Sequence, residues 1–402
     1  MRVIESSAFV AVPMAGMTLS QMGAEVIRFD RLEGGLDARR MPYSPSGSSL
    51  FWSGMNKGKK SIAVDMKNPE GKDLITNLIT APGKDAGLFL TNLKVKGWLD
   101  YETLSELRSD IIIVTLKGDR QGRPQVDYTV NPALGIPEIT GHEGSIEPVA
   151  NAIPAWDMIA GNMCVSSLLA AERYRLRHGV GQDVEIALKD VAAAAIGHLG
   201  MIADSTLNTD DRSKAGNALY GAYGKDFLCA DGNRVMIIGL TSRQWSGILK
   251  ATDTTEQFKN LENEKNINLK DEAIRWKWRH EITAILEPWF KTRAVEDFAR
   301  DFDNTGLTWS VFRSVKEALE FDPDLSEDNP LFKKIKQPEA GEFLVPRHPA
   351  NFSKVDNTEA KGAPALGEHT EEILGDILHL SDIEISNLFD KGVVASPTYN
   401  KN

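Results

Sequence analysis

Cysteine is almost missing from this chain: 402 residues hold only Cys164 and Cys229. Two thiols so far apart exclude a disulfide framework and a cysteine metal cluster, and they suit core positions in a reducing, cytosolic compartment. Positive charge is short as well. Lys and Arg total 46 against 57 Asp and Glu, a formal net charge of −11. Nucleic acid and anionic membrane both need a net basic face, so neither is expected as the main partner. No apolar run is long enough to span a bilayer. Residues 8–19 are largely apolar, but strand-like Val3-Ile4 precedes them and foldable sequence follows at 23–27, so no signal peptide is expected. No metal-ligand spacing is present; His198, alone in an alanine-rich stretch, reads as a packed histidine. A Gly-x-Gly-x-x-Gly turn is also missing. Asp30 ends the second strand as the ribose-binding acid of a dinucleotide enzyme would, but phosphates would find no glycine cradle there.

What is present reads as an α/β protein. A strand over 2–5, a turn over 6–13, a helix over 14–22 and a strand over 25–30 form a β-α-β unit, which implies a parallel sheet. The runs at 87–90 and 110–116 are apolar and rich in β-branched residues, as buried parallel strands are. A helix is expected over 69–80, a strand over 182–188 and an alanine-rich helix over 189–203. Residues 205–214 are a polar linker, 216–224 a loop rich in glycine and tyrosine, and Asp231-Gly232 a hairpin turn. The organisation expected is a large part over 1–204, a smaller inserted α+β domain over 205–324, and a return to the large part over 325–402.

Two stretches carry chemistry. The first, Asn56 to Lys67, is a basic island in an acidic protein: either a solvated surface run, the reading taken for Lys57, Lys59 and Lys60 individually, or a site for an anionic ligand. The second is Ile153-Pro154-Ala155-Trp156-Asp157, which opens a long apolar-striped helix closed by Arg173, Arg175, Arg177, His178 and Gly179. Asp157 at the positive end of such a helix should stay ionised. It is either a first-turn acid that complements the dipole or a nucleophile able to attack an activated acyl group. The helix start would offer backbone N–H groups to a developing oxyanion.

The first β-α-β unit, the Asp157 stretch, the blocks 56–67 and 168–191 and the tail Ala363 to Leu374 together resemble the class III CoA-transferases, the family of formyl-CoA transferase and α-methylacyl-CoA racemase. The likeness runs along essentially the whole chain. It implies a Rossmann-like large domain built from both chain ends, an inserted small domain, and an obligate homodimer of two interlocked rings. It implies an acyl-CoA thioester as substrate, with no cofactor beyond its CoA moiety and no metal. Asp157 falls on the family's nucleophile. CoA contacts carry over to Arg31, Val64, Lys67, Asn92, Leu93, Lys96 and Tyr128, and substrate-loop positions to Tyr220, Gly221, Tyr223 and Gly224. Asn151, Tyr220 and Tyr223 are candidates to hold a free carboxylate. Val10 replaces the glutamine that formyl-CoA transferase carries in the first turn, and Val126 replaces the racemase's histidine base, so proton removal next to the thioester has no evident acceptor. The stretches 7–11, 126–132, 155–157, 197–200 and 219–224 are similar to the branch that shifts CoA between the two carboxylates of a methyl-branched unsaturated dicarboxylate. Transfer to a separate acid, and a non-catalytic CoA-binding dimer, are the alternatives.

Overall fold

The computed structural model describes residues 1–93 and 97–397. The chain folds into two compact units. One gathers Met1–Leu134, Asn151–Leu207 and the chain from Pro323 onward; the other is Gly135–Ala150 with Asn208–Asp322.

Among the described residues, the first unit is built on a seven-stranded sheet. Its strands are β1 (Arg2–Ser6), β2 (Glu25–Asp30), β3 (Lys60–Val64), β4 (Leu88–Thr91), β5 (Ile112–Lys117), β6 (Gln182–Ala187) and a last short strand, Val394–Ala395. Spatial order is Val394–Ala395, β3, β2, β1, β4, β5, β6, and every pairing is parallel except the final strand on β3. Strand order reverses between β1 and β4, the place where open α/β sheets leave a crevice at the carboxyl ends of the strands. Helices covering the sheet include α1 (Ala11–Gln21), α2 (Pro69–Thr80), α3 (Asp127–Ala133), α4 (Ala155–His178), α5 (Leu188–His198) and α6 (Met201–Leu207). Helix α2 starts at Asn68, whose side chain accepts from the Glu70 N–H, with proline in the first turn. Its Leu74, Ile75, Leu78 and Ile79 meet Ile27, Phe29, Ile62 and Phe89 of the sheet, and Ile373, Leu374 and Leu388 from the chain end seal the same core. Burying such a side chain contributes about 1.5–3 kcal/mol.

The single helix expected over 189–203 is two, because Leu199-Gly200 intervenes and Gly200 takes φ +75°. His198 is therefore exposed rather than packed: α5 buries Leu188, Ala192 and Ile196, and position 198 faces away from that row. Both cysteines are buried, as expected of core thiols.

The second unit holds an antiparallel sheet of β7 (Tyr223–Leu228), β8 (Arg234–Gly239) and β9 (Thr308–Val311). The hairpin turn at Asp231-Gly232 is present, with Gly232 at φ +83°. Phe227, Trp245, Phe258, Phe290 and Phe302 make an aromatic core against the sheet. No helix among the described residues is long and apolar enough to cross a membrane.

Candidate active site

Helix α4 sets the site. At its far end the buried Arg175 donates from Nη1 to the carbonyls of Ala86 (2.8 Å) and Asp110 (3.3 Å), just ahead of β4 and β5. The end of α4 thus lies at the amino edge of the sheet, and its start, with Asp157, at the carboxyl edge. Gly161 makes that course possible. A Cβ there would lie 2.6 Å from the Ala11 carbonyl oxygen, so only glycine lets α4 cross this close over the start of α1. One turn before Gly161 stands Asp157.

The start of α4 has no cap of its own; Pro154 fills that position. The cap comes from α3. Asp127 Oδ2 accepts from the backbone N–H of Trp156 (2.7 Å) and of Asp157 (3.3 Å). One turn along α3, Asn131 Oδ1 accepts from the Trp156 indole Nε1 (3.0 Å). Asp127, Asn131 and Trp156 are all buried. The Ala155 and Met158 amides bond to the Ile153 and Pro154 carbonyls. No first-turn amide of α4 is left to receive an oxyanion, which overturns that expectation.

Asp157 is half-buried, and its carboxylate makes no hydrogen bond or ion pair among the described residues. Burial first, and the Asp127 charge second, push it up to about 6. The expectation of a carboxylate held ionised by the helix end is amended accordingly. The amides that would stabilise it serve Asp127 instead, yet at neutral pH Asp157 remains mostly ionised. Asp127 is itself raised by burial, against the two N–H groups that bond it. Neither Asp127 nor Asn131 was singled out from sequence. Their i, i+4 spacing marks one helix face, but the helix start they grip lies some thirty positions further on, and no local pattern connects the two.

The expected CoA contacts fall on the same sheet edge by position. Arg31 follows β2 and Lys67 follows β3; both are exposed and without an ion-pair partner among the described residues. Asn92 and Leu93 follow β4. The Asn92 amide is committed to the β1–α1 turn, donating to the Ala8 carbonyl (2.8 Å) and accepting from the Ala8 N–H (2.9 Å). Leu93 is half-buried, and its N–H bonds Thr91 Oγ1. The Val64 side chain is fully buried in the sheet core, so it presents no surface to a ligand. Tyr128 is exposed beside Asp127. Lys96 lies outside the described residues. Asn151 is half-buried, with its Nδ2 3.5 Å from Asn131 Oδ1.

Lys57, Lys59 and Lys60 of the basic island depart from the solvated-run reading and from the phosphate-cradle reading, whereas Lys67 stays exposed. Lys59 is wholly buried on Glu5 (2.8 Å), and Lys60 bonds Glu25 and Glu372 (2.7 Å each). Lys57 is buried with its ammonium on the Gly54 carbonyl. Lys57 and Lys60 line a cavity of about 310 Å³ with Glu25 and Lys361, at the amino ends of β2 and β3, the edge opposite Asp157. Asp30 is no ribose ligand either. It binds the buried Arg28 through both oxygens (2.8 and 3.0 Å).

In the second unit, Tyr223 and Gly224 belong to β7 rather than to a loop. Tyr223 is buried against Trp245, with its hydroxyl 3.1 Å from Thr283 Oγ1. Gly224 is packed so tightly that a Cβ would lie 2.7 Å from Ile238. Both are packed into the core of this unit. Tyr220 is exposed, between the Arg212 guanidinium (3.6 Å from its ring centre) and the Trp276 ring (5.0 Å), and Gly221 takes φ +83°.

An ionised carboxylate at a helix start, above the carboxyl edge of a parallel sheet whose exposed Arg31 and Lys67 have no ion-pair partner among the described residues, is an arrangement chemically able to carry acyl transfer on an α/β scaffold. Over residues 1–370 the sequence matches CoA-transferase family III, and the chain belongs to that family. It is 50% identical over 398 residues to 2-methylfumaryl-CoA isomerase of Chloroflexus aurantiacus, covering 99% of this chain and 97% of that one. It is 26% identical over 406 residues to human succinyl-CoA:glutarate CoA-transferase, covering 98% and 89%. Among solved structures, a CAIB/BAIF family protein from Brucella suis superposes with a TM-score of 0.76 at 23% identity, over 94% of this chain and 98% of that one.

Proposed function

We propose that this chain is an intramolecular CoA-transferase that converts 2-methylfumaryl-CoA (mesaconyl-CoA esterified at carbon one) into 3-methylfumaryl-CoA (esterified at carbon four). The half-identical Chloroflexus isomerase carries the reading, and the half-buried, unpartnered Asp157 supports it chemically. Asp157 attacks the thioester carbonyl, the carbon–sulfur bond breaks, and a mixed anhydride and CoA thiolate result. The thiolate attacks the aspartyl carbonyl, giving an aspartyl-CoA thioester and free mesaconate. Mesaconate then attacks the aspartyl thioester carbonyl through its other carboxylate; the carbon–sulfur bond breaks, the CoA thiolate leaves, and a second mixed anhydride forms. The thiolate takes the acyl group at carbon four, and Asp157 is restored. Each step exchanges one activated acyl group for another, so positioning and exclusion of water are the main demands. The scheme asks for no metal, redox group or cofactor beyond CoA itself.

In this reading Arg31 and Lys67 take CoA phosphates as unpaired cations, while Leu93 and Tyr128 flank the pantetheine arm. The working state is a homodimer, in which Met158, Ile159 and Met163 on α4 and Leu199, Ile202 and Leu207 around α5 and α6, all exposed on one chain, become covered. The large part built from both chain ends is the CoA-binding domain, and the compartment is the cytoplasm.

The test is trapping. Enzyme mixed with 2-methylfumaryl-CoA and hydroxylamine should yield an intact-mass change confined to the Asp157 peptide, absent in Asp157→Ala, which still binds CoA. Labelled free mesaconate in the mixture should stay out of the thioester. Label in the product means transfer to a separate acid, and no adduct under turnover conditions means a chain that only binds CoA.

A further inference from the structure

Asp127 is only 2% exposed. Its carboxylate has two hydrogen-bond partners, the N–H groups of Trp156 and Asp157, and no cation among the described residues. A buried carboxylate without a cation is unfavourable. An asparagine of the same shape would accept both N–H bonds and carry no charge, so capping alone does not call for an acid. The charge faces Asp157. The elements packed on α4 also carry Tyr128 on α3, Lys117 on β5, Asp183 and Glu185 on β6, and Lys189, Asp190 and His198 on α5, while α1 carries none. Lys117 is bound to Glu185. Of all these groups, Asp127 is the one whose charge acts on Asp157. Held by two N–H groups, Asp127 ionises first of the pair, and the repulsion falls on Asp157.

We propose that Asp127 is a positioning residue for acyl transfer at Asp157: it pins the helix start that carries the nucleophile, and its charge disfavours the free Asp157 carboxylate relative to the neutral acylated forms. This inference rests on Asp157 acting as the nucleophile. When the Asp157 oxygen bonds to the thioester carbon, the carbon–sulfur bond breaks and its electron pair leaves on the CoA sulfur. Negative charge thereby moves away from Asp127. The repulsion present in the resting site is absent from the anhydride and from the aspartyl thioester, so both are stabilised relative to the free carboxylate. The geometry also makes Asp157 the more basic nucleophile of an ionised pair.

The experiment compares wild type, Asp127→Asn and Asp127→Glu. Readouts are the pH dependence of kcat/KM for 2-methylfumaryl-CoA and the fraction of Asp157 trapped by hydroxylamine at saturating substrate. Asp127→Asn should move the acid limb down by about one pH unit and lower the trapped fraction several-fold, with circular dichroism unchanged. Asp127→Glu should keep the wild-type limb even where its rate falls. A wild-type limb and trapped fraction in Asp127→Asn, alongside normal trapping in wild type, overturn the inference and leave the proposed function standing. No adduct in wild type overturns both. Should Asp127→Asn fail to fold, wild-type protein carrying 13C-carboxyl aspartate decides. A two-step titration of Asp157 supports the inference, and a single step in the ordinary carboxylate range overturns it.

Discussion

Lys59 sets its Nζ 2.8 Å from Glu5 Oε1, with both side chains sealed from water. The same ammonium reaches the Pro13 carbonyl (2.8 Å) and Asn56 Oδ1 (2.9 Å), tying β1, the start of α1 and the approach to β3 together. Burial pushes Lys59 down to about 8, with Glu5 pulling the other way. Removing the cation leaves the buried Glu5 carboxylate with only the more distant Arg28 guanidinium (4.0 Å) and the Ser7 hydroxyl. Lys59→Met should therefore cost about 3–5 kcal/mol by denaturant unfolding. Lys60→Ala, which loses half-exposed pairs only, should cost about 1 kcal/mol or less.

The acid limb of kcat/KM should lie near pH 6, where Asp157 gains its proton and ceases to be a nucleophile. A pH–rate profile of kcat/KM for 2-methylfumaryl-CoA checks this. A limb near pH 4 would contradict the burial and the Asp127 charge described for the site.

The same shift has a stability sign. Asp157 is raised in the fold above its ordinary 3.8, so the folded state binds more protons between that value and about 6. The carboxylate's contribution is intact below pH 3.8 and is lost as pH rises through 6. Asp157→Asn should then be more stable than wild type at pH 7.5 by about 2–3 kcal/mol, and equal to it near pH 3.5. Thermal melts at the two pH values test both halves.

Gly161→Ala should push α4 off the start of α1, because the added methyl meets the backbone carbonyl of Ala11 as well as the Met14 side chain, and the carbonyl, unlike the side chain, cannot swing aside. A destabilisation of about 1–3 kcal/mol is expected. kcat should fall by more than the loss of folded protein explains, since Asp157 stands one turn away.

Tyr223→Phe gives up one hydroxyl contact to Thr283 and should cost about 0.5–1.5 kcal/mol with kcat/KM unchanged within error. By contrast, Arg31→Ala and Lys67→Ala should raise KM for the thioester with kcat nearly constant, as lost uniform binding does. Steady-state kinetics on the three variants separate core from ligand contact.

The β-α-β opening, the buried strands and the helix over 69–80 were legible because each declares itself within a dozen residues, by apolar runs and by proline and asparagine at helix starts. Asp157 was legible as a helix-start acid, and its role came from resemblance. The meaning of the lysines at 57, 59 and 60 was not legible. Whether a lysine is solvated or buried depends on partners such as Glu5, Glu25 and Glu372 arriving from elsewhere, and charge alone does not report that. Tyr223 and Gly224 misled because a loop-like composition continued into a strand whose packing demands a glycine. Asp127 escaped for the related reason that its partners are main-chain amides, which carry no sequence signature.

Helix α4 is a strut as well as a mount. Its inner anchor, Arg175, grips main-chain oxygens at the amino edge about 27 Å from Asp157, at 1.5 Å per residue. A rod of that length transmits a small slip at its base to its tip almost undiminished. Loosening that remote grip should therefore shift Asp157 while leaving the residues around it unchanged, so substitutions near residues 86, 110 and 175 are expected to alter the setting of that carboxylate without touching it.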